Sequence, residues 1–180
     1  MKHLWAPWRL EYIKAARSEG CIFCTLPQEG RDRDHGIVYQ GRSAYVILNA
    51  FPYNSSHLMI VPRRHVARPD ELSDPERLEV FHLMAAAMRA VSEVYRPEGY
   101  NVGMNLGRAA GAGIDDHLHL HVVPRWIGDT NFMPVLGETK VLPEDLTATY
   151  DRLVGPLRAA AKRDARPGQG SDPRVPRRGR

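Results

Sequence analysis

The sequence predicts an α+β domain: an antiparallel sheet of about five strands with a long helix packed on one face. Three observations carry this. Short β-type runs recur with turn residues between them. One capped, strongly periodic apolar segment sits in mid-chain. Near residue 120, histidines and aliphatic residues alternate with the two-residue period of a strand.

The elements follow in order. The first twenty residues, MKHLWAPWRLEYIKAARSEG, carry Trp5, Trp8, Arg9 and Tyr12 and read as an arm packed on something larger. They contain no apolar region leading to a small-residue cleavage site, so no secretory signal is expected. The domain is expected over residues 21–161. Within it, Ile37–Tyr39, Ala44–Leu48 and His57–Val61 are three β-type runs separated by QGRS and NAFPYNSS, the pattern of an antiparallel meander. Ser73 and Glu76 then form a capping box, with Pro75 in the first turn where a missing N–H costs nothing. Leu78, Phe81, Met84, Met88, Val91 and Tyr95 follow at three- and four-residue steps and predict one apolar stripe. RPEG ends that helix. Strands at Tyr100–Leu106 and His117–Pro124 flank the small-residue loop GRAAGAG, and a second amphipathic helix is expected from about Pro143 to Lys162. The basic tail, residues 162–180, is rich in Gly, Pro and Arg and is expected to be disordered.

A chain of 180 residues is one domain's worth, and 43% hydrophobic with 26% charged residues is a globular composition. No run approaches the roughly 18 apolar residues of a membrane span, so the cytoplasm is the expected location. The net charge of +4 is unevenly placed. Residues 162–180 hold seven of the 25 basic residues and two of the 21 acidic ones, a local net of +5, which leaves −1 for residues 1–161. The domain itself is therefore poorly suited to nucleic acid.

Two features carry chemistry. Cys21 and Cys24 are the only cysteines, and two intervening residues suit a metal knuckle or a redox pair better than a structural disulfide. Their position between polar stretches, not at the end of a strand leading into a helix, favours metal. The second feature is DDHLHLHVVPRW. In a strand, His117, His119 and His121 share one face at about 7 Å spacing, while Leu118, Leu120 and Val122 face the other. Thr, Ser, Lys or Glu would be expected on a merely polar face. Three positions along one flat strand converge poorly on a tetrahedral ion. A nucleophile with helpers remains: imidazole attacks phosphorus at neutral pH when an acceptor holds its far nitrogen protonated. Just upstream, NLGRAAGAG offers small residues whose backbone N–H groups can lie against phosphate oxygens.

HLHLHVV resembles the signature of the histidine triad (HIT) family of nucleotide hydrolases and transferases. VILNAFPYNSSHLMIVPRRH is similar to that family's second conserved block, and the likeness covers roughly residues 20–130. From NVGMNLG to NF it is closest to a bacterial branch of diadenosine tetraphosphate phosphorylases or hydrolases, in which Trp126, Gly128, Asp129, Asn131 and Phe132 follow the triad. The resemblance implies that His119 attacks the α-phosphorus to form a nucleotidyl-histidine. By the same likeness His121 donates to the phosphate oxygens, and Asn105 lies beside them. Asn49 falls where the family keeps an Asp or Asn on the ribose hydroxyls, although its residue type also suits a plain turn. The strand around Ile47 and Leu48, with Phe51, would wall the adenine. Gly111 and Gly113 would offer backbone N–H groups to substrate. One departure stands out: many relatives carry Gln or Ser where Gly113 stands, in a loop here one residue longer. Arg108 or the backbone of residues 111–113 would have to substitute.

Some HIT proteins and the related galactose-1-phosphate uridylyltransferases also pair Cys-x-x-Cys with a histidine before the helix and the first triad histidine. Cys21, Cys24, His65 and His117 would then hold a structural zinc, with His57 as a rival ligand and His35 and His82 at the surface. The resemblance further implies a homodimer whose sheet extends across two chains. The leading expectation is cleavage of a dinucleoside polyphosphate by phosphorolysis or hydrolysis. The alternatives are a nucleoside phosphoramidate hydrolase and a nucleotide-binding module without activity.

Overall fold

The computed structural model describes residues 20–129 and 142–164. The arm up to residue 19, Asn131, Phe132 and the tail beyond Asp164 lie outside the described residues. In chain order the elements are α1 (Ile22–Thr25), α2 (Asp32–His35), β1 (Ile37–Gln40), β2 (Ala44–Leu48), β3 (Leu58–Pro62), α3 (Asp74–Tyr95), β4 (Gly99–Gly103), β5 (Leu120–Arg125) and α4 (Leu146–Asp164). No helix among the described residues is long and apolar enough to cross a membrane.

The five strands form one antiparallel sheet in the order β1-β2-β3-β5-β4. The α+β class and the five strands agree with the sequence. The meander β1–β3 is followed by α3, which returns the chain to the far edge. β5 then enters between β3 and β4. Insertion at that place puts the histidine run in mid-sheet, flanked on both sides by backbone that fixes its register: Met59 opposes His121 on one side and Gly103 on the other.

Both long helices cover the same face. The core beneath them joins Leu48, Leu58, Ile60, Leu118, Leu120 and Val122 from the sheet side to α3 and to Leu153 and Leu157 of α4. The expected stripe on α3 needs correction. Leu78 and Phe81 are 58% and 54% exposed, and the buried row is Val80, Leu83, Ala86, Ala87, Ala90 and Val91. That row is rich in alanine, which lets a helix approach a flat sheet closely. The larger residues Met84 and Met88 pack at its margin. Alanine is small and only weakly hydrophobic, so this row is less visible in the sequence than the larger residues beside it. Strand limits also moved: β4 ends at Gly103, and regular pairing in β5 begins at Leu120, so His117 and His119 stand on the extended run leading into it.

The tight turn from β1 to β2 is held by α3. The Glu79 carboxylate accepts the N–H groups of Arg42 (2.7 Å) and Ser43 (2.6 Å), and Gly41 N–H reaches Ala44 O. A Cβ on Gly41 would lie 2.5 Å from a Glu79 oxygen and 2.6 Å from Ala44 O. Gly41→Ala is therefore expected to cost about 1–3 kcal/mol, measured as a lower urea midpoint with unchanged slope.

Candidate active site

His117, His119 and His121 lie on the sheet face away from the helices, and His117 and His119 are buried. Beside them a smaller apolar cluster of Phe23, Ile37, Tyr45, Ile47, Met59 and Val61 covers the same face. The Phe23 ring stands 5.5 Å from His117 and 5.2 Å from His119. His119 Nδ1 is 2.8 Å from the His117 carbonyl. A carbonyl only accepts, so the proton sits on Nδ1 and Nε2 keeps its lone pair. Burial lowers the pKa of His119, against a smaller raising effect of that hydrogen bond, and so favours the neutral ring.

A second chain of bonds sets His121. The Tyr53 N–H donates to His57 Nδ1 at 3.1 Å, so His57 carries its proton on Nε2. That proton faces His121 Nδ1 at 2.9 Å. The remaining proton of neutral His121 is thereby placed on Nε2, which is buried and without a partner among the described residues. Burial, reinforced by the neighbouring histidines, lowers His57 to about 3. Burial, then His119, lowers His121 to about 4. Both rings are uncharged at neutral pH, and a neutral buried donor with no partner is poised for an incoming acceptor.

At the other end of the row, Cys21, Cys24, His65 and His117 bring one ligand atom each within 4.8 Å of one another. His117 Nδ1 lies 3.2 Å from Cys21 Sγ and 3.5 Å from Cys24 Sγ, and His65 Nδ1 is 3.4 Å from Cys24 Sγ. Bond lengths of 2.0–2.3 Å give a tetrahedral zinc site ligand–ligand edges of about 3.3–3.8 Å. Three of the distances fall in or next to that window. The far nitrogens are also held: His117 Nε2–H donates to Pro62 O at 2.8 Å, and His65 Nε2 faces the Asp116 carboxylate at 3.9 Å. Such outer partners orient ligating histidines. Without a cation, burial and the adjacent Cys21 push the Cys24 thiol up to about 11. This set can hold a metal. His57, the rival ligand, is engaged with His121 instead.

A cavity of about 430 Å³ opens beside His121, lined by Tyr53, Asn54, Asn101, Asn105, Arg125 and Asp129 among others. Of the expected substrate residues, it brings together His121 and Asn105 only. Asn49 closes a turn: its Oδ1 accepts Phe51 N–H at 2.9 Å, and its amide lies 3.3 Å from His57 Nδ1. Phe51 is 57% exposed. Leu48 belongs to the helix-side core, because alternation along β2 gives the histidine side to Ile47. Gly111 and Gly113 are half-buried in the loop before the triad and do not line the cavity, and Arg108 points to solvent, paired with Asp115. Sequence reasoning missed Phe23, Tyr53, Asn54 and Arg125. Phe23 was legible in principle, since it lies inside Cys-x-x-Cys and any link from those thiols to His117 brings it to the triad.

The sequence profile of the HIT domain matches residues 31–126, more than half of the chain. The chain belongs to the HIT family. A Mycobacterium tuberculosis protein named AP-4-A phosphorylase is 40% identical over 158 residues, covering 83% of this chain and 80% of that protein. An adenosine 5'-monophosphoramidase of Schizosaccharomyces pombe is 31% identical over 107 residues, 58% of this chain and 74% of that one. Among solved structures, a Zn-bound histidine triad family protein from Mycobacterium smegmatis superposes with a TM-score of 0.62 at 21% identity, covering 80% of this chain and 97% of that one. At that identity the likeness is one of fold. The chain is thus an enzyme of the HIT family.

Buried neutral histidines couple the site to stability. His57 and His121 take up protons near pH 6.5 when unfolded but only near 3 and 4 when folded. Between those limits the unfolded chain binds more protons, so stability is full above 6.5 and falls with pH. Two such groups give a slope on the order of 2–3 kcal/mol per pH unit. Urea melts from pH 7 to 4.5 are expected to show this loss, and a midpoint independent of pH would contradict the buried neutral pair.

Proposed function

We propose that the protein cleaves dinucleoside polyphosphates such as diadenosine tetraphosphate through a nucleotidyl-histidine at His119, with phosphate as the preferred acceptor. The observation that carries this reading is the 2.8 Å contact of His119 Nδ1 with the His117 carbonyl, an acceptor that draws the proton to Nδ1 and leaves Nε2 as a nucleophile. His119 Nε2 attacks the α-phosphorus, the bond to the bridging oxygen breaks, and ATP departs from diadenosine tetraphosphate. His121 Nε2–H donates to a phosphate oxygen as charge gathers there, in a buried setting where such a bond is strong. Asn105 offers its amide to the same group. Phosphate then attacks the adenylyl-histidine to give ADP, or water attacks to give AMP. The likeness to the AP-4-A phosphorylase of M. tuberculosis supports phosphate. The phosphoramidase reading rests on the S. pombe relative and uses the same nucleophile on a P–N bond.

Incubation with diadenosine tetraphosphate and phosphate is expected to yield ADP and ATP. AMP with ATP would indicate hydrolysis, and turnover of adenosine 5'-phosphoramidate alone would favour the second reading. His119→Ala is expected to lower kcat by at least about a thousandfold, the scale for loss of a covalent nucleophile, with nucleotide binding retained. Retained turnover would sink the mechanism.

For the metal, the reading is a structural zinc on Cys21, Cys24, His65 and His117. When bound it would hold both thiols ionised and tie α1 to the triad strand, without touching substrate. Metal analysis is expected to find one zinc per chain, and Cys24→Ser to lose it and lower Tm. Zinc-free protein with unchanged Tm would remove the proposal. Strand β4 lies at the sheet edge, with Asn101, Val102 and Gly103 exposed, which supports a homodimer built by sheet extension. Light scattering at the mass of one chain would refute it.

A further inference from the structure

We propose that the exposed apolar flank of α3 is the seat of this chain's own N-terminal arm, residues 1–19. Leu78 and Phe81 are more than half exposed and stand three residues apart, so they lie side by side on the helix surface. From Phe81 the half-buried Met84, Ala85 and Met88 continue the surface at three-, four- and seven-residue steps. α3 therefore carries a second apolar row beside the alanine-rich row that meets the sheet. Single exposed apolar residues are ordinary, but a contiguous row on one helix flank marks a contact surface.

The place where the arm joins the domain selects the occupant. The arm enters at Gly20, directly before Cys21 and Cys24. Cys24 Sγ lies 3.4 Å from His65 Nδ1. The residue before His65, Arg64, donates to the Glu76 carboxylate in the first turn of α3 at 3.0 and 2.9 Å. Leu78 follows Glu76 by two residues. The arm thus starts at the end of the sheet where α3 begins. Phe51 and Tyr53, which are exposed as well, lie at the far end: Asn54 bonds the Pro124 carbonyl, whereas the thiols face His117. Seven extended residues from His117 to Pro124 span on the order of 20 Å. Reach is sufficient for the nearer surface. Trp8 stands twelve residues before Gly20, about 18 Å of helix or about 40 Å of extended chain. Composition agrees with position. The arm holds two of the chain's three tryptophans together with Leu4, Leu10, Tyr12 and Ile13. Nineteen residues cannot bury such a load among themselves, so it needs an apolar surface elsewhere.

The test keeps the full chain. With Phe81→p-benzoylphenylalanine, an aromatic photo-probe stands on the row itself. Illumination of mixed isotope-labelled and unlabelled chains is expected to join position 81 to residues 1–19 of the same chain. Adducts that mix the two labels would overturn the proposal by assigning the row to a second copy, and so would adducts to other segments or none. Trypsin gives an independent readout, since Arg9 and Lys14 are cleavage sites within the arm. Leu78→Ser with Phe81→Ser is expected to speed cleavage there about tenfold or more, the scale of exposing one large apolar side chain. Trp5→Ser with Trp8→Ser is expected to do the same, and all four changes together to add little beyond either pair. On a bare helix flank the α3 pair would leave arm cleavage unchanged, and that result, or full additivity, would sink the idea. Nucleotide turnover enters neither readout, so failure of the reaction proposed above leaves both decisive.

Discussion

His117 is the residue on which the rest of the site depends, because three of its polar groups point to three different places. Its Nδ1 faces the two thiols, its Nε2–H is anchored on the Pro62 carbonyl, and its own carbonyl receives the Nδ1–H of His119. The side chain is thus clamped between α1 and the end of β3. The backbone of the same residue then dictates which nitrogen of His119 is bare. A rotation of the His117 peptide would remove the acceptor and return His119 to a mixture of tautomers. The thiol–imidazole cluster and the tautomer of His119 are two consequences of one fixed residue.

The protonation state of the row follows from burial. In water three imidazoles near pH 7 would be partly charged and would repel one another. Burial beneath Phe23 and Tyr53 favours the neutral rings, and neutrality makes each a one-donor, one-acceptor group with a direction. The direction is inherited from the backbone: Tyr53 N–H fixes His57, and His57 fixes His121. The carbonyl of His117 fixes His119 in the opposite sense, with its bare nitrogen outward. Two histidines two residues apart therefore acquire opposite tautomers from their acceptors and donors, with no difference in residue type.

Much of this was legible. Alternation in HLHLHVV separates the core residues from the histidines, and Leu118, Leu120 and Val122 do lie in the helix-side core. Cys-x-x-Cys with His65 and His117 was legible through family likeness, and the four residues converge. Other features could not be read. The stripe on α3 was misassigned because hydrophobicity ranks Leu78 and Phe81 above Ala86, Ala87 and Ala90, while close helix-to-sheet contact rewards small residues. The side taken by Leu48 was not legible because alternation gives only relative sidedness, and Leu48 and Ile47 are equally apolar. The role of Tyr53 is carried by its backbone N–H, a group every residue but proline possesses. No pattern of side chains announces it.

The two aspartates before the triad, and the one after it, illustrate how far structure extends the reading. Asp116 faces the outer nitrogen of His65, and Asp115 pairs with exposed Arg108. Asp129 does more. It accepts from Arg125, from Asn54 Nδ2 at 2.7 Å and from Trp126 N–H, and Asn54 also donates to the Pro124 carbonyl. The loop at residues 53–56 is thereby stitched to the end of β5. That stitching matters because Ser56 sits at φ 61°, a left-handed conformation costing about 1 kcal/mol or more in a residue with a Cβ. A loop free to relax would shed that strain and carry Tyr53 N–H away from His57. Asp129 thus ties to the end of β5 the loop whose Tyr53 N–H reaches His57, the partner of His121.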